Sequence, residues 1–188
     1  MEKDKRIRIL DAALRLFVEF GFHGTPTSKI AKEAGIANGT LFHYFSTKDD
    51  LVMALYVHIK KQMAESMAFR WHENDALKDI MKNVYVSTLY WALDNKLEFK
   101  FVEQFNSSPF LSLIAPEEVQ KQVQFHYDLI QRAIDEKWIK PMPVDFIFTL
   151  VMSNVYGLNQ YLLSHTFTKA EQQKYINDTF DMLWDMIS

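Results

Sequence analysis

The sequence predicts an all-helical protein: a three-helix head over residues 1–47 and a six-helix body over residues 48–188. Three observations carry that expectation. Apolar residues recur at three- and four-residue spacing through most of the chain, as in helices with one buried face. No stretch alternates apolar and polar residues long enough to compete as a strand. The breaks between periodic stretches are short and carry Gly, Pro, Ser or Asn.

In the head, Ile7, Leu10, Leu14 and Phe17 form one stripe, widened by Ile9, Ala13, Leu16 and Phe20. They predict an amphipathic helix over about Lys5 to Phe20, with Arg8, Arg15 and Glu19 outward. Gly21 ends it, and His23-Gly24-Thr25-Pro26 reads as a turn. A short helix follows from Thr27 to Ala34, with Thr27 or Ser28 as its side-chain cap. Gly35 stands where a helix end needs a left-handed residue, and Ile36 can fill the gap beyond it. The next helix, Asn38 to Tyr44, turns Leu41 and Phe45 inward and leaves Asn38, Thr40, His43 and Tyr44 outward or at the edge. A glycine turn, small residues at the crossing and a polar outer face on the second helix describe a helix-turn-helix. Phe17, Phe20, Ile30, Leu41 and Phe45 are its expected core.

In the body, Ser46 or Thr47 can cap a helix that runs through Leu51, Leu55 and Ile59 to about Arg70. Asp49 and Asp50 suit its positive end. At roughly 1.5 Å per residue it is about 34 Å long and reaches beyond the head. Further helices are expected at about 74–95, 96–106, 116–137, 144–166 and 169–187, the last capped by Thr168.

Composition excludes more than it selects. The chain of 188 residues has no cysteine, hence no disulfide and no thiolate metal site. Its first residues are charged, with no apolar leader, and no apolar run approaches the ~18–20 residues of a membrane helix. No membrane association is expected, and the cytoplasm is the expected location. Residues 1–48 hold eight Lys/Arg against five Asp/Glu, a balance of +3, and the remaining residues carry −6 to give the overall −3. A basic head on an acidic body suits a protein that meets DNA at one end. The six histidines are scattered without metal-ligand spacing, and no glycine loop or nucleophile elbow is present. No catalytic residue, metal site or cofactor is therefore expected.

The order from Thr27 to Leu51, Thr-Ser-x-Ile-Ala-x-x-Ala-Gly-Ile-Ala-x-Gly-Thr-Leu-Phe-x-Tyr-Phe-x-x-Lys-x-x-Leu, resembles the DNA-binding signature of the TetR/AcrR family of bacterial transcriptional regulators. Ala37 stands where that family more often has a capping serine or threonine, and Phe42 where tyrosine is commoner. The resemblance implies a dimer that places two recognition helices on a palindromic duplex. Asn38, Thr40 and His43 are the candidate base readers, since Asn can pair with an adenine edge and Thr can touch a thymine methyl. Gly39 allows close backbone approach, and Phe42 can face either DNA or the protein. Thr27, Tyr44 and Lys48 match family positions that hold phosphates, with Ser28 and Lys29 as weaker candidates.

The resemblance also implies a dimer interface from the last two helices. Phe148, Val151, Val155, Leu158 and Leu162 form one stripe, and Phe180, Leu183, Trp184 and Ile187 another; both also suit an intramolecular core. Gly157 in mid-helix fits a close partner crossing. The middle helices of such proteins enclose a ligand. Tyr85, Thr88, Trp91, Phe101, Phe105, Phe110, Phe125 and Tyr127 are the candidates here, although the same side chains suit ordinary packing. The expected function is a dimeric repressor released by a small apolar or aromatic ligand. One alternative keeps DNA binding but gives the body only dimerisation or a protein partner. Another is a helical enzyme or carrier.

Overall fold

The computed structural model describes residues 2–67, 75–114 and 116–188. Among these the chain forms nine α-helices and one 3-10 turn, with no strand. The helices are α1 (Glu2–Gly24), α2 (Thr27–Glu33), α3 (Asn38–Tyr44), α4 (Lys48–Met67), α5 (Leu77–Asp94), α6 (Lys96–Asn106), α7 (Pro116–Asp135), α8 (Val144–Ser164) and α9 (Lys169–Ile187); the 3-10 turn is Pro109–Leu113. The expected helix limits at Arg70 and Asn74 lie outside the described residues. The chain divides into two compact units, Met1–Met63 with Asn95–Ala115, and Ala64–Asp94 with Pro116–Ser188.

In the first unit, α1 breaks at Gly21, whose φ of 72° suits glycine far better than other residues, before a last turn to Gly24. The buried Thr25 hydroxyl lies 3.0 Å from the Leu16 carbonyl and 2.8 Å from that of Gly21, which pins the reversal into α2. Neither Thr27 nor Ser28 caps α2; Pro26 takes the N-cap position and no side chain bonds there. At the other end Gly35 adopts the expected left-handed conformation, φ 64°. The Arg8 guanidinium, expected to face outward, donates to the carbonyls of Ala34 and Gly35, the latter at 3.2 Å. A cation on the free carbonyls of a helix end is favourable for both.

Ile30 and Leu41 are fully buried and Phe45 nearly so, as expected for the small core. Phe20 is not: it is 43% exposed, because the break at Gly21 passes its inward place to Phe22. The Phe22 ring centre lies 5.5 Å from those of Phe17 and Phe101 and 5.0 Å from that of Phe110. Phe105 stacks on Tyr56 at 3.9 Å. Phe101, Phe105 and Phe110 were expected to touch a ligand; instead they form the core on which α1 rests. The compact unit is thereby larger than residues 1–47, since α6, the 3-10 turn and most of α4 belong to it. Thr47 opens α4 with a reciprocal cap, accepting from the Asp50 amide and donating its own amide to Asp50, each at 3.0 Å.

In the second unit, α8 packs on α5, α7 and α9, and α5 also packs on α9. Thr168 caps α9 as expected, in a capping box with Glu171 whose hydrogen bonds hold that carboxyl below the usual carboxylate range. Lys137, at φ 61°, ends α7. Beyond it Lys140 ties down the end of α9, its amide donating to Ile187 at 2.7 Å and its ammonium to Met186 at 2.8 Å. The stripes expected to form a dimer interface are turned inward: Val155, Leu162, Phe180, Leu183, Trp184 and Ile187 are buried, and Phe148, Val151 and Leu158 half-buried. The reason is that α8 and α9 carry apolar residues on more than one face, and the unit's own core takes the larger share.

Candidate nucleic-acid interface and body cavity

Leu41 anchors α3, fully buried, while Asn38, Gly39, Phe42 and His43 stand exposed on it and Thr40 and Tyr44 are half-buried. The helix starts at Ala37, in extended conformation with no side-chain cap, so the first turn presents its amides beside Asn38 and Gly39. The rings of His43 and Tyr44 meet edge to face at 5.7 Å. Lys48 is half-buried at the start of α4, flanked by Asp49 and Asp50, which weaken the local positive potential. Ser28 and Lys29 are exposed and Thr27 half-buried at the start of α2. The Lys29 ammonium sits 3.3 Å from the centre of the Phe20 ring, and Arg6 lies 5.4 Å over Phe45. Neither pair is announced by helical periodicity, which assigned Phe20 to the core and left Arg6 unmarked.

The second unit holds a cavity of about 60 Å³ walled by α5, α7, α8 and α9. Of the expected ligand residues, Tyr85 and Thr88 line it. Trp91 is buried elsewhere, Phe125 is 40% exposed, and Tyr127 packs edge to face on Phe148 at 5.3 Å; none of the three lines the cavity. The residues expected at a dimer interface do so instead: Phe148, Val151 and Val155 from α8, and Phe180, Leu183, Trp184 and Ile187 from α9. Among the described residues no group of three or more His, Asp or Glu is placed to hold a metal, and no helix is long and apolar enough to cross a membrane.

Residues 9–55 match the family described as bacterial regulatory proteins, tetR family. Over nearly the whole chain the structure superposes on that of a tetR family transcription regulator from Shewanella sp. PV-4, with a TM-score of 0.88, 27% identity and 97% of each chain covered. In sequence over residues 9–55 and in fold over nearly its whole length, the chain resembles tetR-family regulators. A TetR-family transcription regulator from Marinobacter aquaeolei VT8 has the same fold, with a TM-score of 0.86 over 99% of this chain and 96% of that one at 24% identity. Among curated proteins, the fatty acid metabolism regulator protein of Bacillus subtilis (strain 168) is 39% identical over 66 residues, which is 35% of this chain and 34% of that protein. The HTH-type transcriptional regulator RutR of Escherichia coli (strain K12) is 41% identical over 61 residues, 32% of this chain and 27% of that one. The chain thus matches about a third of the length of these curated relatives, which are named as regulators.

Proposed function

We propose that this chain is a dimeric, sequence-specific DNA-binding transcription regulator, a repressor that a small apolar or aromatic ligand releases from its operator. The carrying observation is the division of α3, with Leu41 fully buried on one side and Asn38 and His43 exposed on the other beside half-buried Thr40. A helix anchored by one apolar residue and polar outward can enter a major groove. In this reading Asn38, Thr40 and His43 meet base edges, Gly39 lets the backbone approach, and Phe42 offers an apolar ring to a thymine methyl. Thr27, Ser28, Lys29, Tyr44 and Lys48 hold phosphates. Replacing Lys48 with alanine is expected to weaken binding to all duplexes alike. The slope of log K against log salt should become less negative by about 1 for each Lys48 in the complex. An unchanged slope in salt titrations removes Lys48 from the phosphate contacts.

Dimerisation falls to the face that α8 and α9 leave uncovered. Phe146, Tyr161, Tyr175, Met182 and Met186 are each at least 39% exposed there. Exposed Gly157 lies on α8, and a Cβ built on it meets nothing within 4 Å among the described residues. A mid-helix glycine costs up to about 1 kcal/mol against alanine. No contact among the described residues requires it, whereas a partner helix crossing there does. Met182→Glu is expected to leave folding within about 0.5 kcal/mol of the parent, since the side chain is 71% exposed. It should raise the dimer dissociation constant at least tenfold by sedimentation velocity; an unchanged constant places the interface elsewhere.

Release follows as a population shift. A ligand that binds better to one tilt of α4 changes the separation of the two recognition helices away from the roughly 34–36 Å that matches one DNA turn. The body cavity favours this reading over a body that only dimerises or binds a protein.

A further inference from the structure

The cavity in the second unit is notable for what charges it omits. Among the described residues that line it, none is Lys, Arg, Asp or Glu. Two nearby lysines lie against the rings of Phe180 and Trp184. Lys82 is bonded to Asp181 at 3.0 Å and lies 5.4 Å over the Phe180 ring; Lys78 lies 5.2 Å over Trp184. A buried charge without a counter-charge is strongly penalised, so a carboxylate or ammonium head meets no formal counter-charge among these side chains.

The polar equipment is sparse and specific. The Tyr85 hydroxyl, on α5, donates to the Asn154 side-chain carbonyl on α8. Burial raises the Tyr85 pKa further above its ordinary value, so the group is a neutral donor throughout the working pH range. Thr88 is turned to its own helix, its hydroxyl donating to the Val84 carbonyl at 2.8 Å. The rest of the wall is aliphatic, thioether or aromatic, apart from the His126 ring, which packs on Phe148 at 5.7 Å. A water needs roughly 10–15 Å³ of such space. The cavity of about 60 Å³ is several times that and has room for the core of a small molecule.

We propose that this cavity selects a small, uncharged, largely apolar molecule carrying one hydrogen-bonding oxygen, which accepts the Tyr85 hydroxyl in place of Asn154. The proposal rests on the reading of the cavity as the effector site and narrows its ligand class; charged acids and amines are excluded. It also gives the ligand a lever, because the bond it replaces joins α5 to α8.

The test uses three probes with one chain and different heads: 1-pentanol, pentanoate and pentylammonium. Binding to the whole 188-residue chain is followed by titration calorimetry and thermal shift at about pH 8, above the usual histidine range. Pentanol is expected to bind at least tenfold more tightly than either ion. Tyr85→Phe should weaken pentanol about tenfold while leaving toluene, which has no oxygen, unchanged; that difference separates a lost contact from a damaged fold. Val155→Phe, which fills the cavity, should abolish binding of both. Pentanoate or pentylammonium binding as well as pentanol, no binding by any probe, or a Tyr85→Phe protein that holds pentanol undiminished each overturns the proposal. Pentanol that binds through Tyr85 yet leaves operator affinity unchanged upholds the ligand class and defeats the effector reading.

Discussion

Phe101→Ala is expected to cost ~3–5 kcal/mol of folding free energy, as truncation of a fully enclosed aromatic does where the walls cannot collapse. Phe101 has no exposed surface, and its ring centre lies 5.5 Å from Phe22, 6.2 Å from Phe105 and 6.3 Å from Phe17. The hole would open at the joint between α1, which carries Phe17 and Phe22, and α6, which carries Phe101 and Phe105. Against a usual domain stability of roughly 5–15 kcal/mol, the loss is enough to unfold a marginal protein. Urea denaturation of parent and variant measures it. A cost below about 1 kcal/mol, accompanied by weaker ligand binding, returns Phe101 to the ligand site expected from sequence.

The second large effect lies in recognition. Asn38 is exposed at the first position of α3, and its amide can both donate to and accept from one adenine edge. Such a bidentate pair discriminates by about 1–3 kcal/mol. A dimer uses it twice, and well-separated contacts are roughly additive, so Asn38→Ala should lose about 2–6 kcal/mol of preference for the operator. That is between about thirty-fold and twenty-thousandfold in relative affinity. Binding to unrelated duplexes should hardly change, because an uncharged side chain adds little to the phosphate term. Equal losses on operator and on random DNA make Asn38 a phosphate ligand or a fold residue instead.

The all-helical architecture was legible because it depends on local signals. Gly35 took the left-handed conformation expected at its helix end, Gly21 broke the first helix where that helix was expected to stop, and Thr168 formed the expected cap with Glu171. The outward face of α3 followed from one inward residue, Leu41, and a polar remainder. What could not be read was which of several apolar faces meets which neighbour. Phe101, Phe105 and Phe110 looked like ligand residues because they fall in the middle of the chain, yet their partners are Phe17 and Phe22, about eighty residues earlier. The stripes of α8 and α9 suggested a dimer seam, but a helix apolar on two sides leaves open which side faces its own unit. Phe20 was misplaced because the Gly21 break hands its inward position to Phe22, two residues on. Arg8 gave no sign of its carbonyl partners, because a charged residue on an outer face has no period to betray them.

The most direct measurement is selection of bound duplexes from a random pool, run in parallel with the unaltered protein and with Asn38→Ala. The expected result is an enriched palindrome whose half-sites lie about one helical turn apart, with an adenine contact position that relaxes when Asn38 is replaced. A pool that stays random, or a motif identical for both proteins, contradicts the claim that the exposed side of α3 reads DNA.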